Sequence, residues 1–465
     1  MKGKLKELGS NIWYGLGAVG LDLSYGMFYS YLSIYLTDIL QVKVAFLLLL
    51  APLARIWDGI NDPMMGSIVD NTKTKFGKYR PWVIIGACAN AVVLFFLFTD
   101  LGIRGIPLYI LITILYIGWG MTNTMADIPY WSMVPSFTSD PAKRSIISTV
   151  ARAFSGLGQG IILIGAPILL PLLSKESDGN TYDAQGFSRL ALICGLCLIF
   201  FAVISMTHVK ETQVIKPAEK FTFKKVFTIA KNNDQLLVFM LFAMLSNAGY
   251  YMISGVAAYY FKYVVGDTTK QSLFSAMGAV GAILGLLFLP IMMKFTSRRR
   301  TYQASLLITI ISYFGMFLSG MVLNNIILLD VFYLIGSIGT GSMFVSQTVF
   351  LADIVDYGEI KLGYRAESIT FSMKGFLQKM AYTIQVIILF AGLGTNYTKV
   401  VTGEVDASSV KGAINLMMLI LPALFFIASL IVFTAKFKLH GEFMENITAQ
   451  VTQNRLEREA LAEEK

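Results

Sequence analysis

The sequence predicts an all-α membrane protein with twelve spanning helices. Of its 465 residues, 55% are hydrophobic and 14% are charged, and the mean hydropathy of +0.63 is too high for a soluble protein of ordinary size. A helix that crosses ~30 Å of hydrocarbon needs about 20 mostly apolar residues. Such stretches recur from Trp13 to Ala435 with short polar breaks between them. Together these observations indicate a chain that crosses the membrane repeatedly.

Twelve apolar stretches are long enough to span. The first follows three lysines, as a signal peptide does, but it continues to Ile39 without an A-x-A site, so we expect an uncleaved first helix. The predicted spans are 12–39, 45–69, 82–99, 106–130, 146–171, 188–208, 236–261, 272–293, 302–323, 327–351, 368–393 and 413–435.

A long basic interruption divides these spans into two sets of six. The predicted domains are an N-terminal six-helix bundle at 1–209, a cytoplasmic linker at 210–235, a C-terminal six-helix bundle at 236–440 and a cytoplasmic tail at 441–465. If both termini lie inside, 26 of the 38 Lys and Arg residues fall on the inner side and eight fall in the outer loops. The positive-inside rule therefore predicts cytoplasmic N- and C-termini.

Short sequence repeats support two related halves. The triplet Ala-Asp-Ile closes the fourth span at 126–128 and the tenth span at 352–354, which is the fourth span of the second half. Two Gly-x-x-x-Gly pairs, at 156–160 and 281–285, predict sites where helices pack closely in lipid.

Several ionisable residues lie inside the predicted spans, where each costs ~2.5–3.5 kcal/mol on insertion scales. Each therefore needs a partner or a water-filled cavity. One interpretation is that they only form ion pairs that hold the helices together. They include Asp22, Arg55, Asp58, Asp62, Asp127, Arg152, Lys374 and Lys379.

The second span carries the clearest pattern. Arg55, Asp58 and Asp62 are spaced i, i+3 and i+7, so they share one helical face, with Asn61 beside them. Two carboxylates one turn apart in a low-dielectric site repel each other, unless a cation lies between them or one takes a proton. The pattern therefore predicts a site for a monovalent cation. Four acids of the first half, Asp22, Asp58, Asp62 and Asp127, face two bases, Arg55 and Arg152, which leaves a net charge of −2, or −1 if Lys379 faces them.

A second group combines carboxylates with aromatic rings. Asp22 and Asp127 can accept hydrogen bonds from hydroxyls, Arg152 can donate several, and an indole can pack against the apolar face of a sugar ring. The aromatic neighbours are Tyr25, Tyr29, Tyr130 and Trp131. This combination is typical of a sugar site, although Trp131 alone could be an interfacial anchor.

Other classes of function lack support. The net charge of +9 comes from short loops between spans, where topology explains it, so no nucleic acid is expected. The pair Cys194 and Cys197 lies inside an apolar span, which favours ordinary packing. With no HExxH motif, no P-loop and only His208 and His440, the chain is not expected to be an enzyme or to need a cofactor.

Four segments carry a family resemblance: RIWDGINDPMMG at 55–66, DNTKTKFGKYRPW at 70–82, WGMTNTMADIPYWSMVP at 119–135, and DIVDYGE at 353–359 with Arg365 after it. They closely resemble the glycoside-pentoside-hexuronide:cation symporters, the melibiose-permease branch of the major facilitator superfamily. Two positions depart from melibiose-type members, because Leu21 stands in place of a Lys and Asn123 in place of a Tyr.

The resemblance implies a major facilitator fold that works by alternating access and couples a glycoside to Na⁺, Li⁺ or H⁺. The implied cation ligands are Asp58, Asn61, Asp62 and Thr124. The expected sugar residues are Asp22, Tyr29, Asp127, Trp131 and Arg152, with Lys379 facing them. The expected setting is a monomer in a bacterial inner membrane. The alternative is an uncoupled facilitator or exchanger, or a lipid-type carrier, on the same fold.

A cytoplasmic gate is also predicted. Basic residues of the loops after spans 2 and 8 should pair with acids near the ends of spans 2 and 10. The basic residues are Lys78, Arg80, Arg298 and Arg299, and the acids are Asp70, Asp353, Asp356 and Glu359.

Overall fold

The computed structural model describes residues 2–138, 141–175, 182–209, 211, 231–363, 367–394 and 397–463. Most of the predicted linker at 210–235, and Arg365, lie outside this part of the chain. The described residues form helices joined by turns and short loops, without a strand. The predicted all-α class is therefore confirmed.

Fifteen α-helices are described. The first six are α1 (Lys2–Ile34), α2 (Val44–Asn71), α3 (Arg80–Leu97), α4 (Ile106–Ser132), α5 (Pro141–Leu173) and α6 (Ala184–His208). The next five are α7 (Asp234–Tyr259), α8 (Lys270–Phe295), α9 (Arg298–Phe317), α10 (Ile326–Leu362) and α11 (Glu367–Leu393). The last four are α12 (Tyr397–Val401), α13 (Ser408–Asn415), α14 (Leu421–Lys436) and α15 (Gly441–Glu463).

Short π-helical segments continue four of these helices. They are Tyr35–Ile39 after α1, Tyr260–Val265 after α7, Leu318–Val322 after α9 and Leu416–Ile420 between α13 and α14. Each of the twelve predicted spans coincides with one of the resulting helical segments.

Eleven helical segments in the described part of the chain are long and apolar enough to cross a membrane. The first span is not among them: α1 is 33 residues long, but its glycines, serines and tyrosines, together with Asp22, make it less apolar. With α1 these segments account for the twelve predicted spans. The chain is thus a multi-pass membrane protein.

The chain divides into two compact units. The first comprises Met1–Pro217, Ser254–Ala276 and Val386–Ile414, and the second comprises Ala218–Ile253, Met277–Gln385 and Asn415–Lys465. In the first unit, α1 packs against α5 and α6, and α4 packs against α2 and α3. In the second, α10 packs against α9 and α15, and α9 also packs against α14.

Candidate functional site

The predicted cation residues of α2 lie on a largely buried face of that helix. Arg55, Asp58 and Asn61 are buried, and Asp62 is half-buried. The Arg55 guanidinium forms an ion pair with Asp58, with 2.8 Å between Nη1 and Oδ2. A buried carboxylate thus has its counter-charge one turn away on the same helix.

The opposite wall of this group is α4. Thr124 donates a hydrogen bond from Oγ1 to Asp62 Oδ1 at 3.0 Å. A Cβ placed on Gly120 would lie 3.1 Å from Asp58 Oδ1, so this glycine leaves room for the carboxylate. The structure therefore brings Asp58, Asp62 and Thr124 together between two helices.

The other oxygen atoms that could bind a cation here, those of Asn61 and Thr124, are neutral. Asn61 is buried next to the two acids, and within the described residues its side-chain nitrogen has no hydrogen-bond partner. In the same described part of the chain, no three His, Cys, Asp or Glu side chains are grouped to hold a metal ion. A cation bound here would depend on two carboxylates helped by amide and hydroxyl oxygens, a set suited to a hard cation.

Three of the predicted sugar residues form a connected group. The Trp131 indole donates from Nε1 to Asp127 Oδ1 at 2.9 Å, one turn away on α4. The Arg152 guanidinium carbon lies 3.7 Å from the centre of the Trp131 ring, a cation-π contact. The structure thus connects a carboxylate, an indole and a guanidinium.

Asp22 and Tyr29 extend this group along α1. The Ser155 hydroxyl hydrogen-bonds to Asp22, and Asp127 and Arg152 interact with that carboxylate electrostatically. Tyr29 hydrogen-bonds to Arg55 through its hydroxyl, so it belongs equally to the surroundings of the α2 ion pair. Arg152 is exposed, and Asp22, Asp127 and Trp131 are half-buried. A solute could therefore reach these polar groups.

Lys379 lies on α11 in the second unit, with its side chain half-buried. Its carbonyl accepts a hydrogen bond from Thr383 at 2.9 Å. Its predicted place opposite the sugar residues stays a prediction. On the same helix, Lys374 donates to Thr348 of α10 at 2.5 Å.

The predicted gate residues have various partners. Lys78 forms an ion pair with Asp70 at 2.6 Å, and Arg298 forms one with Asp353 at 3.0 Å. The two other basic residues donate to backbone carbonyls: Arg80 to Met206 at 2.6 Å and Arg299 to Thr434 at 2.6 Å. Asp356 and Glu359 follow Asp353 along α10, and Glu359 is buried. Their action as a gate stays a prediction.

A cluster around Asp38 was not predicted, although Asp38 lies within the first predicted span. Its carboxylate accepts from Lys262 Nζ at 2.5 Å, from the Tyr263 hydroxyl at 2.7 Å, and from the hydroxyls of Tyr397 and Thr37 at 2.8 Å each. The Asp38 side chain is fully buried and that of Lys262 is 27% exposed. The available signal was an acid near the end of an apolar span.

Glu211 is a second unpredicted feature. Its carboxylate accepts from the backbone N–H groups of Lys78, Tyr79 and Arg80 at 2.8, 2.9 and 3.1 Å. It thereby occupies the N-terminus of α3, where unpaired N–H groups favour a negative charge. The residue is one of few acids in a basic stretch, and nothing in that pattern indicates its distant partner.

Comparisons with known proteins identify the family of the chain. A family model described as MFS/sugar transport protein matches residues 13–440. The chain is 26% identical to the lactose permease of Lactobacillus delbrueckii subsp. bulgaricus, over 98% of this chain and 75% of the permease. It is 28% identical to the raffinose carrier protein of Pediococcus pentosaceus, over 96% and 72% of the two chains. It is 30% identical to the isoprimeverose transporter of Lactiplantibacillus pentosus, over 80% and 77%.

Solved structures support the fold. A bacterial homolog of the human lysosomal transporter Spinster, in an inward-facing and occupied conformation, matches with a TM-score of 0.66 at 13% identity, over 92% of this chain and 95% of the other. The nucleoside transporter NupG matches with a TM-score of 0.64 at 11% identity, over 92% and 99%. At these identities the likeness concerns the fold alone.

The fold and the relatives define a membrane transporter rather than an enzyme. The chain belongs to the MFS/sugar transport protein family, whose model matches most of its length.

Proposed function

We propose that this protein is a secondary active transporter that carries a glycoside together with one monovalent cation. The observation that carries the proposal is the pair of carboxylates on α2, Asp58 and Asp62, which lie against α4 one turn from the Asp127 group. The names of the relatives, lactose permease, raffinose carrier and isoprimeverose transporter, support a galactoside, another disaccharide or a pentoside as the substrate.

The charge balance supports a monovalent cation. The carboxylates of Asp22, Asp58, Asp62 and Asp127 are opposed by the guanidinium groups of Arg55 and Arg152, and Lys379 would leave one negative charge uncompensated. One Na⁺, Li⁺ or H⁺ would neutralise this charge. In that arrangement Asn61 and Thr124 complete the oxygen set around Asp58 and Asp62.

The sugar residues have complementary chemistry. The carboxylates of Asp22 and Asp127 accept hydrogen bonds from sugar hydroxyls, and Arg152 donates to them. The Trp131 indole can cover an apolar sugar face. A hydrogen bond to a charged group contributes ~1.5–3 kcal/mol, enough for about tenfold in affinity for each residue.

The proposed setting is the inner membrane of a bacterium, with both termini in the cytoplasm and the protein acting as a monomer. Two six-helix bundles, at 1–209 and 236–440, would expose the site alternately to either side. In this scheme the acids and bases predicted for the gate meet on the cytoplasmic side when the site faces outward.

Right-side-out membrane vesicles test this function. Lactose, raffinose and isoprimeverose are supplied with and without gradients of Na⁺, Li⁺ and protons. We expect at least one sugar to be concentrated only when a cation gradient is present. Equal entry without any gradient would indicate a facilitator, and entry of none of these sugars would contradict the substrate class.

Two variants test the residues. Asp58→Asn should abolish cation-driven accumulation while downhill exchange of sugar continues, because the cation loses a charged ligand. Asp127→Asn should weaken sugar binding about tenfold or more. Asp100→Asn is the matched control, since it makes the same change at an ion pair with Arg104 in the loop before α4. Wild-type accumulation by Asp58→Asn would contradict the cation assignment.

A further inference from the structure

Tyr25 of α1 lies among residues of both proposed sites. It follows Asp22 by one helical turn and is half-buried. Its hydroxyl accepts a hydrogen bond from Asn123 Nδ2 of α4 at 3.0 Å. Asp22 and Asp127 both interact with it electrostatically. Asp22 and Asp127, the two carboxylates proposed to bind the sugar, are thus both close to the Tyr25 phenol.

One path from Tyr25 to the cation residues runs through α4. Asn123 is adjacent in sequence to Thr124, whose hydroxyl donates to Asp62 at 3.0 Å. Asp127 lies one turn further along the same helix. A small movement of Thr124 toward or away from α2 therefore moves Asn123, and with it the donor to Tyr25.

A second path runs along α1. The Tyr25 ring stacks on Tyr29, with 5.2 Å between ring centres and 17° between planes. Tyr29 hydrogen-bonds to Arg55, and Arg55 pairs with Asp58 at 2.8 Å. The two paths start at the two carboxylates of α2 and meet at Tyr25.

Trp119, which packs against the Tyr25 ring, is held in place by its own contacts. Its ring meets Trp119 edge-on, with 5.6 Å between centres. Trp119 is fully buried, stacks on Phe28 at 3.6 Å and donates to the Ser24 hydroxyl at 3.3 Å. Because Trp119 is fixed, the Tyr25 side chain can move mainly in response to Asn123 and Tyr29.

We propose that Tyr25 is a positioning residue that couples the two sites, a role that rests on the proposed function. A cation at Asp58 and Asp62 changes the position of Thr124, of Arg55 or of both. Tyr25 receives either change through Asn123 or Tyr29 and passes it to Asp22, one turn away on its own helix. The factor by which the cation changes sugar affinity is the direct measure of this role.

The experiment measures the factor by which saturating NaCl raises sugar affinity in the purified protein. Isothermal titration with lactose, raffinose or isoprimeverose gives the sugar Kd with and without Na⁺. In the wild type we expect a factor of about 5–150. Tyr25→Phe keeps the ring and removes the hydroxyl, so it should reduce this factor at least about fivefold.

Asn123→Ala and the double variant complete a cycle. If the two residues act as one unit, the double variant should lose no more coupling than either single variant. Tyr109→Phe is the matched control, because it removes a hydroxyl from α4 fourteen residues before Asn123, about 21 Å along the helix. Its factor should equal that of the wild type.

Each outcome decides the proposal. An unchanged factor in both Tyr25→Phe and Tyr25→Ala, which also removes the ring stacked on Tyr29, would overturn the coupling role while leaving the proposed function intact. Equal weakening of sugar binding with and without Na⁺ would make Tyr25 a sugar ligand, which also overturns the role. No stimulation by Na⁺, Li⁺ or protons in the wild type, or no binding of any of the sugars, would contradict the proposed function itself.

Discussion

Single polar side chains in this protein find partners on other helices or at their ends. Glu211 accepts from three backbone N–H groups at the start of α3, and Arg299 donates to the Thr434 carbonyl at the end of α14. Such contacts satisfy helix termini that would otherwise leave backbone groups unpaired. Arg299 also contacts His440 Nε2, which sits just before α15.

His440 provides a prediction about pH. His440 is exposed, but desolvation by its neighbours and the nearby Arg299 guanidinium lower the pKa of its ring below the usual value. The folded protein therefore favours the neutral ring and loses stability as the pH falls through the pKa of the unfolded chain, about 6.5. Between about pH 8 and pH 5.5, the melting temperature of the wild type should fall more than that of His440→Gln.

The matched control for this measurement is His208→Gln, which replaces the other histidine of the chain. His208 stacks on Trp13 and lies far along the chain from Arg299. Its variant should keep the pH dependence of the wild type. If His440→Gln also keeps it, the contact with Arg299 does not depend on the charge of the ring.

Helix packing depends on which face of a helix presents its glycines. A Cβ on Gly281 or Gly285 of α8 would lie 2.2 Å from a carbonyl oxygen of α10, Leu334 or Ile338 respectively. The predicted close packing at 281–285 is therefore confirmed. Among the described residues the prediction at 156–160 is wrong, because none of their atoms lies within 4 Å of a Cβ built on Gly156 or Gly160.

The contrast predicts the cost of added methyl groups. Gly285→Ala forces α8 away from α10, and overpacking of this kind costs about 1–3 kcal/mol. Gly160→Ala, the matched control, adds its methyl to open space. In detergent, the melting temperature should fall for Gly285→Ala and hold for Gly160→Ala. Equal melting temperatures would mean that α8 and α10 can move apart without a loss of stability.

Sequence periodicity predicted elements better than it predicted their contacts. Apolar length gave the twelve spans, and the i, i+3, i+7 spacing gave the shared face of Arg55, Asp58 and Asp62. A Gly-x-x-x-Gly pattern does not say which face meets a neighbour, and on α5 it is Gly158 whose Cβ would lie 2.4 Å from the Val19 carbonyl oxygen. Hydropathy also ended the tenth span at 351, whereas α10 continues to Leu362 with polar residues.

At the scale of the whole molecule, contacts distant in sequence determine what the sequence could not reveal. Asp38 bonds to Lys262 and Tyr397, which are 224 and 359 residues away. No local pattern identifies such partners. The end of α1 is thereby connected to the segment after α7 and to α12, all within one compact unit.

Replacing Asp38 tests how much this connection contributes to the stability of the fold. Asp38→Asn keeps the shape but removes the charge, so Lys262 loses its counter-ion in a largely buried place. We expect a loss of up to about 3 kcal/mol, measured as a lower melting temperature. Asp267→Asn is the control, because Asp267 is half-buried but its partner Lys270 is exposed and 3.6 Å away, so this variant should cost less stability than Asp38→Asn. Similar melting temperatures for both variants would contradict a stabilising role for Asp38.

Two prolines give α2 an uneven stiffness along its length. Pro52 and Pro63 lie inside the helix, and the proposed cation residues Asp58 and Asp62 lie between them. Because Pro63 has no N–H, the Gly59 carbonyl lacks its helical hydrogen-bond donor, and α2 bends most easily beside Asp58 and Asp62. The spacing of Asp58 and Asp62 is then set as much by the neighbouring helix as by α2 itself. Contact with α4 therefore supports α2 at the point where α2 bends most easily.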